Sequence, residues 1–337
     1  MSGVAAEVSI VGRASPESGV RTVFFGSGGF AVPILDALIG MVGIDVVGVV
    51  SAPDRPVGRK AVLTPTPVTA RARELGLPVL QPVRVRRPEV VAEIEGLAPQ
   101  LIVLADYGQL IPRSLLDLPP RGFLNLHPSA LPRWRGAAPI PATILAGDTE
   151  SAVTLMVLVE EMDAGPIVAT EVLEVRDDDT AVTLEERAAE VAARLLQRSI
   201  PEWLAGRIAA RPQAEEGVTL TRPLRKSDGF LNPALSAVEL ERQVRAYQPW
   251  PRSQLVLQFT PLFVWSAAVA PSEPGDTPGT LVGTSDGGLV LTTVDGRLVL
   301  KVVQKAGGRP MPAADLVRGH RGLLHGWSIT GPGPSMR

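Results

Sequence analysis

Thr22-Val23-Phe24-Phe25-Gly26-Ser27-Gly28-Gly29-Phe30-Ala31-Val32-Pro33-Ile34-Leu35-Asp36-Ala37-Leu38-Ile39 reads as three elements in succession. Thr22 to Phe25 is a short strand-forming run, Gly26 to Gly29 a tight turn, and Phe30 to Ile39 carries apolar side chains at helical spacing. Strand, glycine turn and helix open a βαβ unit, so the fold turns on whether the pattern repeats. Val46 to Val50 and Leu101 to Ala105 are further short apolar runs, as expected of strands buried on both faces of a parallel sheet. Between them, Pro67 to Leu75 and Pro88 to Leu97 have helical spacing, each beginning on a proline, where a missing N–H costs little. The alternation predicts an α/β fold with a doubly wound, mainly parallel sheet.

A long helix is predicted from Thr183 to about Leu204, with Leu184, Ala188, Val191 and Leu195 on one face. Gly206 to Gly217 mixes Gly, Pro, Ala and charges without a period, the composition of a linker draped over a surface. Beyond it, Leu255 to Phe259, Leu262 to Trp265, Gly279 to Val282, Gly288 to Thr293 and Leu298 to Val303 are short strands at close spacing, which predicts a small, OB-like C-terminal β-barrel. The expected division is a loose extension over 1–20, a first domain over 21–206, a linker over 207–226 and the barrel domain over 227–332.

The chain has 337 residues, which suits two such domains, and no cysteine, which excludes disulfide scaffolds, thiolate metal sites and cysteine nucleophiles together. No apolar run approaches the ~20 residues that cross a bilayer, and the first twenty positions lack the form of a signal peptide. A cytoplasmic monomer with no membrane partner is expected. The net charge of -2 does not advertise a nucleic-acid binder, so any such contact must come from local clusters of Lys and Arg.

The densest chemical signal is Asn125-Leu126-His127-Pro128-Ser129-Ala130-Leu131-Pro132-Arg133-Trp134-Arg135-Gly136. If Phe123 to His127 is a strand, alternation puts Asn125 and His127 on one face, where an amide and an imidazole can reach one atom together. Pro128 and Pro132 restrict the backbone between them, which should hold Ser129 to Leu131 in one shape with polar groups free for a ligand. Of the three histidines, His320 and His325 lie among basic and glycine residues near the C-terminus, leaving His127 as the imidazole with a catalytic setting. A lone histidine beside an apolar strand is commonly structural; here its neighbours argue otherwise. A carboxylate partner is supplied by Asp163, on a turn after the apolar stretch Met156 to Glu161, although Asp before a glycine is also an ordinary turn residue. It would orient His127 and stabilise its charged form.

The stretch from Tyr107 through Val168 resembles the folate-dependent formyltransferase family, whose catalytic Asn, His and Asp match Asn125, His127 and Asp163 in order and setting. Arg133-Trp134-Arg135-Gly136-Ala137-Ala138-Pro139-Ile140 is similar to the branch acting on methionyl-tRNA rather than on glycinamide ribonucleotide, with nucleotide-sugar enzymes similar there too. Asp54-Arg55-Pro56-Val57-Gly58-Arg59 resembles the loop that enters the tRNA acceptor stem, and Leu240 to Pro251 the entry into a tRNA-binding barrel. The resemblance implies 10-formyltetrahydrofolate as co-substrate, initiator methionyl-tRNA as acceptor and no metal. It implies folate contacts at Tyr107, Gly108, Leu110, Ser129, Ala130, Leu131, Pro132 and Met162, and points to tRNA contacts at Arg55, Arg59, Lys60, Arg222, Arg225 and Lys226. The chain departs from the family in having Asp163-Ala164-Gly165 for the usual Asp-Thr-Gly, a less basic loop at Lys60-Ala61-Val62, and its N-terminal extension.

Three other readings fit parts of the chain. Gly26-Ser27-Gly28-Gly29-Phe30-Ala31 satisfies the dinucleotide fingerprint G-x-G-x-x-G/A, although no Asp or Glu ends the Val46 to Val50 strand to hold a ribose. A formyltetrahydrofolate deformylase would share the trio and use water as acceptor, without need of the barrel. An amino-sugar nucleotide formyltransferase fits the first domain.

Overall fold

The computed structural model describes residues 19–58, 61–257, 260–284, 287–319 and 327–328. Most of the N-terminal extension, Arg59, Lys60, the end of the predicted Leu255 to Phe259 strand, His320 and His325 lie outside the described residues.

The first half runs β1 (Val20–Gly26), α1 (Ala31–Ile39), β2 (Ile44–Val50), β3 (Arg55–Val57), β4 (Val62–Thr64), α2 (Pro67–Glu74), β5 (Val79–Leu80), α3 (Pro88–Gly96) and β6 (Leu101–Ala105). It continues with α4 (Arg113–Leu116), β7 (Phe123–His127), β8 (Arg135–Gly136), α5 (Pro139–Ala146), β9 (Glu150–Val157), β10 (Ile167–Glu174) and α6 (Ala181–Leu204). Five strands lie parallel in the order β5-β2-β1-β6-β7, and β9 and β10 extend the sheet antiparallel beyond β7. The strand order reverses beside β1, the switch point at which open α/β sheets form a crevice. β3 and β4 make a separate small hairpin with Val57, Val62 and Leu63 exposed, where the sequence suggested only a loop.

Side-chain alternation sorts the sheet into two faces. Phe24, Val103, Leu124 and Leu126 join α1 and α6 in one core, α6 contributing Leu184, Ala188, Val191 and Leu195 as its spacing predicted. Val23, Phe25, Ile102, Leu104 and Phe123 face the other way, against Ile94 of α3 and Leu115 of α4. Asn125 and His127 continue the Phe123 row and meet loops there instead of a helix. β9 ends at Val157, earlier than the apolar stretch Met156 to Glu161 suggested, because the chain turns back after it toward β10.

The second half comprises β11 (Leu220–Thr221), a 3-10 turn (Lys226–Gly229), α7 (Ala237–Ala246), β12 (Ser253–Leu257), β13 (Thr260–Ala270), β14 (Thr280–Gly283), β15 (Leu289–Thr292), β16 (Arg297–Lys305), β17 (Met311–Pro312), α8 (Ala313–Gly319) and β18 (Trp327–Ser328). β12-β13-β16-β15-β14-β18 form an antiparallel half-barrel around one core, with β17 paired to β16 and α7 and α8 packed onto it. α7 also lies on α5: Ala246 enters the first core, and Arg245 Nη1 donates to Asp179 O at 2.9 Å. Gly147, at φ 73, ends α5 where any Cβ would overlap the Arg242 guanidinium. No helix among the described residues is long and apolar enough to cross a membrane.

The glycine turn after β1 takes its caps from far along the chain. Phe30, at the α1 N-cap, makes no side-chain cap bond. Asp106, just past β6, instead accepts from the Gly28 N–H, and Glu185 of α6 accepts from the Phe30 N–H. A Cβ on Gly28 would stand 1.7 Å from Asp106 Oδ2, so a side chain there would displace the Asp106 carboxylate. Two carboxylates thus occupy the helix N-terminus that a dinucleotide pyrophosphate would need, and this weighs against the dinucleotide reading. Burial first, and then the Asp106 charge, push the Glu185 carboxyl above its usual range. A carboxyl with a raised folded pKa costs the native state stability as pH climbs through its titration. Glu185→Gln, which still accepts from Phe30, is expected to raise the melting temperature at pH 7 to 8, the gap closing below about pH 4, where the unfolded carboxyl is itself protonated; thermal melts across that range check it.

Candidate functional site

Asn125 and His127, both 5% exposed at the end of β7, meet Asp163 from the β9–β10 loop. Asn125 Nδ2 donates to Asp163 Oδ1 at 3.4 Å, and His127 Nδ1 lies 3.7 Å from Asp163 Oδ2. The Gly136 N–H donates to the same Oδ2 at 2.7 Å. The second His127 nitrogen, Nε2, is 3.0 Å from the Trp134 carbonyl oxygen. A carbonyl only accepts, so Nε2 is the donor in this bond, and Nδ1 is the ring nitrogen turned toward Asp163. The arrangement therefore offers a proton acceptor beside a carboxylate, together with an amide whose second hydrogen Asp163 does not take.

Backbone geometry brings these groups together. Asp163 is held at φ 51 and Trp134 at φ 61, both left-handed; Asp tolerates that region, whereas a bulky Trp adopts it only when the surroundings compel it. Gly165 lies so close to β9 that a Cβ would stand 1.7 Å from Val157 O, so the loop folds tightly back toward the sheet. Gly136, at φ 111, is pressed against Thr221 O in the same way.

The segment that reads as a draped linker is part of this construction. Ile167 exchanges two backbone bonds with Arg211, and β11 pairs in parallel with β8. Thr219 Oγ1 accepts from Trp134 N at 2.8 Å, and Thr221 Oγ1 accepts from Ala138 N at 3.0 Å. Arg133 makes a bidentate pair with Asp148 at 3.1 and 2.7 Å and stacks on the Trp134 ring, whose Nε1 also donates to Asp148. Sequence reasoning missed these partners. Threonines and a glutamine in a linker carry no periodicity, and backbone pairing leaves no mark on residue type.

The other predicted residues divide. Ser129 is fully buried with its polar groups committed to the fold: N to His127 O, Oγ to Arg133 O, and O to Thr154 Oγ1. The expectation that this loop leaves its polar groups free fails at Ser129. Leu131 is buried, Pro132 half-buried, and Ala130 exposed. Tyr107 packs its ring edge-on against Phe25 at 5.3 Å; its hydroxyl is buried with no hydrogen-bond partner among the described residues, and burial pushes it up to about 12. Gly108 is exposed. Leu110 and Met162, at 72% and 51% exposed, retain apolar surface that no protein atom covers. Arg55, Arg222, Arg225 and Lys226 are exposed, Arg222 forming a bidentate pair with Asp228 at 2.7 and 2.8 Å. Beside the trio opens a cleft of about 390 Å³ lined by Arg135, Glu161, Ala164, Pro166, Gln213 and Val218, among others. Among the described residues no group of three or more His, Cys, Asp or Glu is placed to hold a metal ion.

Comparison with known proteins finds a match in each half of the chain. The family profile "Formyl transferase" matches residues 20–200, and "Formyl transferase, C-terminal domain" matches 223–321. A methionyl-tRNA formyltransferase of Halorhodospira halophila is 44% identical over 301 residues, 89% of this chain and 96% of that one. One of Bacillus subtilis is 38% identical over 300 residues, 89% and 94% of the two chains. Among solved structures, the N-formyltransferase from Helicobacter canadensis in complex with folinic acid and dTDP-3-aminofucose aligns with a TM-score of 0.61 at 14% identity, over 85% of this chain and 99% of that one.

Proposed function

Because the chain belongs to the formyl transferase family in both of its halves, we propose that it moves the formyl group of 10-formyltetrahydrofolate to the α-amino group of methionine esterified to initiator tRNA. Formylation of methionyl-tRNA follows from relatives that bear that name and share 38% to 44% identity over nearly their whole length. What carries the chemical reading is the meeting of Asn125, His127 and Asp163 in one half-enclosed network.

In this reading the methionine nitrogen bonds to the formyl carbon and the carbonyl electrons move onto its oxygen. Asn125 donates its second amide hydrogen to that oxyanion. His127 takes the ammonium proton on Nδ1, where Asp163 faces the new imidazolium, while Trp134 O holds the ring by Nε2. Collapse of the oxyanion breaks the bond to the folate nitrogen, and the proton returns from His127 to that nitrogen. The exposed Leu110 and Met162 offer apolar contact for the flat donor. Tyr107, Gly108, Ala130, Leu131 and Pro132 complete the proposed wall through ring packing and backbone, with Ser129 shaping the loop from beneath.

The proposed division assigns chemistry to 21–206 and tRNA to 227–332, with 207–226 joining them. Arg55, Arg59 and Lys60 on the first half, and Arg222, Arg225 and Lys226 at the end of the connection, are the proposed phosphate contacts; Arg222 would have to leave Asp228 or share it.

Asn125→Ala is expected to lower kcat by roughly 100-fold to 1,000-fold, the scale of losing one oxyanion donor. His127→Ala and Asp163→Ala are expected to abolish most formylation while tRNA binding persists. Acid-gel separation of formylated methionyl-tRNA measures each, and wild-type turnover in a folded His127→Ala variant would remove the proton relay. Release of formate without added tRNA would point to a deformylase, and formylation of amino-sugar nucleotides in place of methionyl-tRNA to a sugar enzyme.

Affinity for tRNA is expected to fall by about a thousandfold between low and moderate salt if six or more phosphates are touched. Filter binding at several salt concentrations checks it, and a flat profile would count against the basic contacts.

A further inference from the structure

Gln213 stands in the connecting segment, between the two loops that build the site, and the reaction described above makes no use of it. Its Nε2 donates to Asp163 O at 2.7 Å and to Gly165 O at 2.8 Å, while its Oε1 accepts from Arg135 Nε at 3.0 Å. Arg135 in turn reaches Glu161 at 3.7 Å, on the Asp163 loop, and precedes Gly136, whose N–H binds the Asp163 carboxylate. One half-buried amide therefore fastens the carbonyls on either side of Ala164 and the side chain next to Gly136. Asp163 sits at φ 51, a left-handed conformation that Asp adopts more readily than most residues, and these bonds to its own carbonyl and to that of Gly165 fix the turn in which it lies.

We propose that Gln213 is a positioning residue for formyl transfer, whose two amide hydrogens set the Asp163 turn so that the carboxylate faces Asn125 and His127. The proposal rests on the reading of Asp163 as part of the reacting trio. It assigns a role in the chemical step to a segment whose composition suggested only a tether. Both hydrogens of the amide and its oxygen are used, so the side-chain chemistry matters as well as its volume.

The test follows from that. Gln213→Glu keeps shape and the Arg135 contact but sets an oxygen against the carbonyls of Asp163 and Gly165; Gln213→Ala removes these bonds and the long contact of Nε2 with Met156 Sδ at 3.9 Å. In the full-length chain both variants are expected to lose kcat by on the order of 10-fold to 100-fold, the scale of a small misplacement of reacting groups. KM for methionyl-tRNA and for 10-formyltetrahydrofolate should stay within about threefold, and the pH profile of kcat/KM should shift from that of the wild type. Asp163→Asn should mask the effect, the double variant with Gln213→Glu being no slower than Asp163→Asn alone.

Wild-type kcat in a folded Gln213→Glu variant would overturn the proposal, as would a loss confined to the tRNA KM or one that multiplies with that of Asp163→Asn. A fall of both melting temperatures into the assay range would make Gln213 a packing residue and overturn it too. An Asp163→Asn variant of full activity would instead bring down the reading of the trio itself, which an inactive Asp163→Asn beside an active Gln213→Glu would leave standing.

Discussion

The site is organised around one largely enclosed carboxylate. Taking a carboxylate out of water is costly unless donors meet its oxygens, and Asp163 has them from two directions, the Gly136 N–H and the Asn125 amide. The constraint propagates outward from those contacts. For Gly136 to present its N–H, the loop after β7 must pass through positive φ at Trp134 and again at Gly136. The same twist leaves the Trp134 carbonyl against His127 Nε2, so a single backbone path settles both the carboxylate's donor and the imidazole's tautomer. The β9–β10 loop must fold back so tightly that residue 165 can only be glycine. The connecting segment then closes the arrangement by pairing with β8 and β10.

Much of this was legible in the sequence, for a reason the faces of the sheet make plain. Burial on both sides leaves β6 and β7 as short uninterrupted runs, and their limits, Leu101–Ala105 and Phe123–His127, are those the pattern predicts. Period-two alternation then puts Asn125 and His127 in the Phe123 row without further information. The end of β9 was not legible, because Leu158, whose N–H still donates to Phe123 O of β7, and Val159 prolong the apolar run past the last residue of the strand. Nor was the connecting segment. Its bonds to the site come from backbone groups that every residue carries, and from two threonines and a glutamine that look the same whether they face water or a neighbouring strand.

The glycine turn shows the opposite failure, a pattern present without its usual ligand. Spacing of glycines reports that a strand enters a helix through a tight turn and that something approaches the backbone closely. It does not report what approaches. Here the close neighbour of Gly28 is Asp106, and Glu185 shares the helix end, from elements separated by most of the first domain. The Phe30 N–H meets Glu185 and the Ala31 and Val32 N–H groups turn back to Gly28 O and Gly29 O, so the helix end has its donors already engaged and a further anion would have to displace a carboxylate.

Ala164 bears on the Asp163 turn through its backbone alone. Where relatives of this family carry a threonine between the aspartate and the glycine, the missing hydroxyl suggests a weaker carboxylate. The bonds that hold Asp163 involve no side chain at 164. Its oxygens are met by residues 125 and 136, its carbonyl and that of Gly165 by Gln213, and the Ala164 N–H turns back to Glu161 O. None of those supports calls for a hydroxyl at 164, and all of them are in place with alanine there.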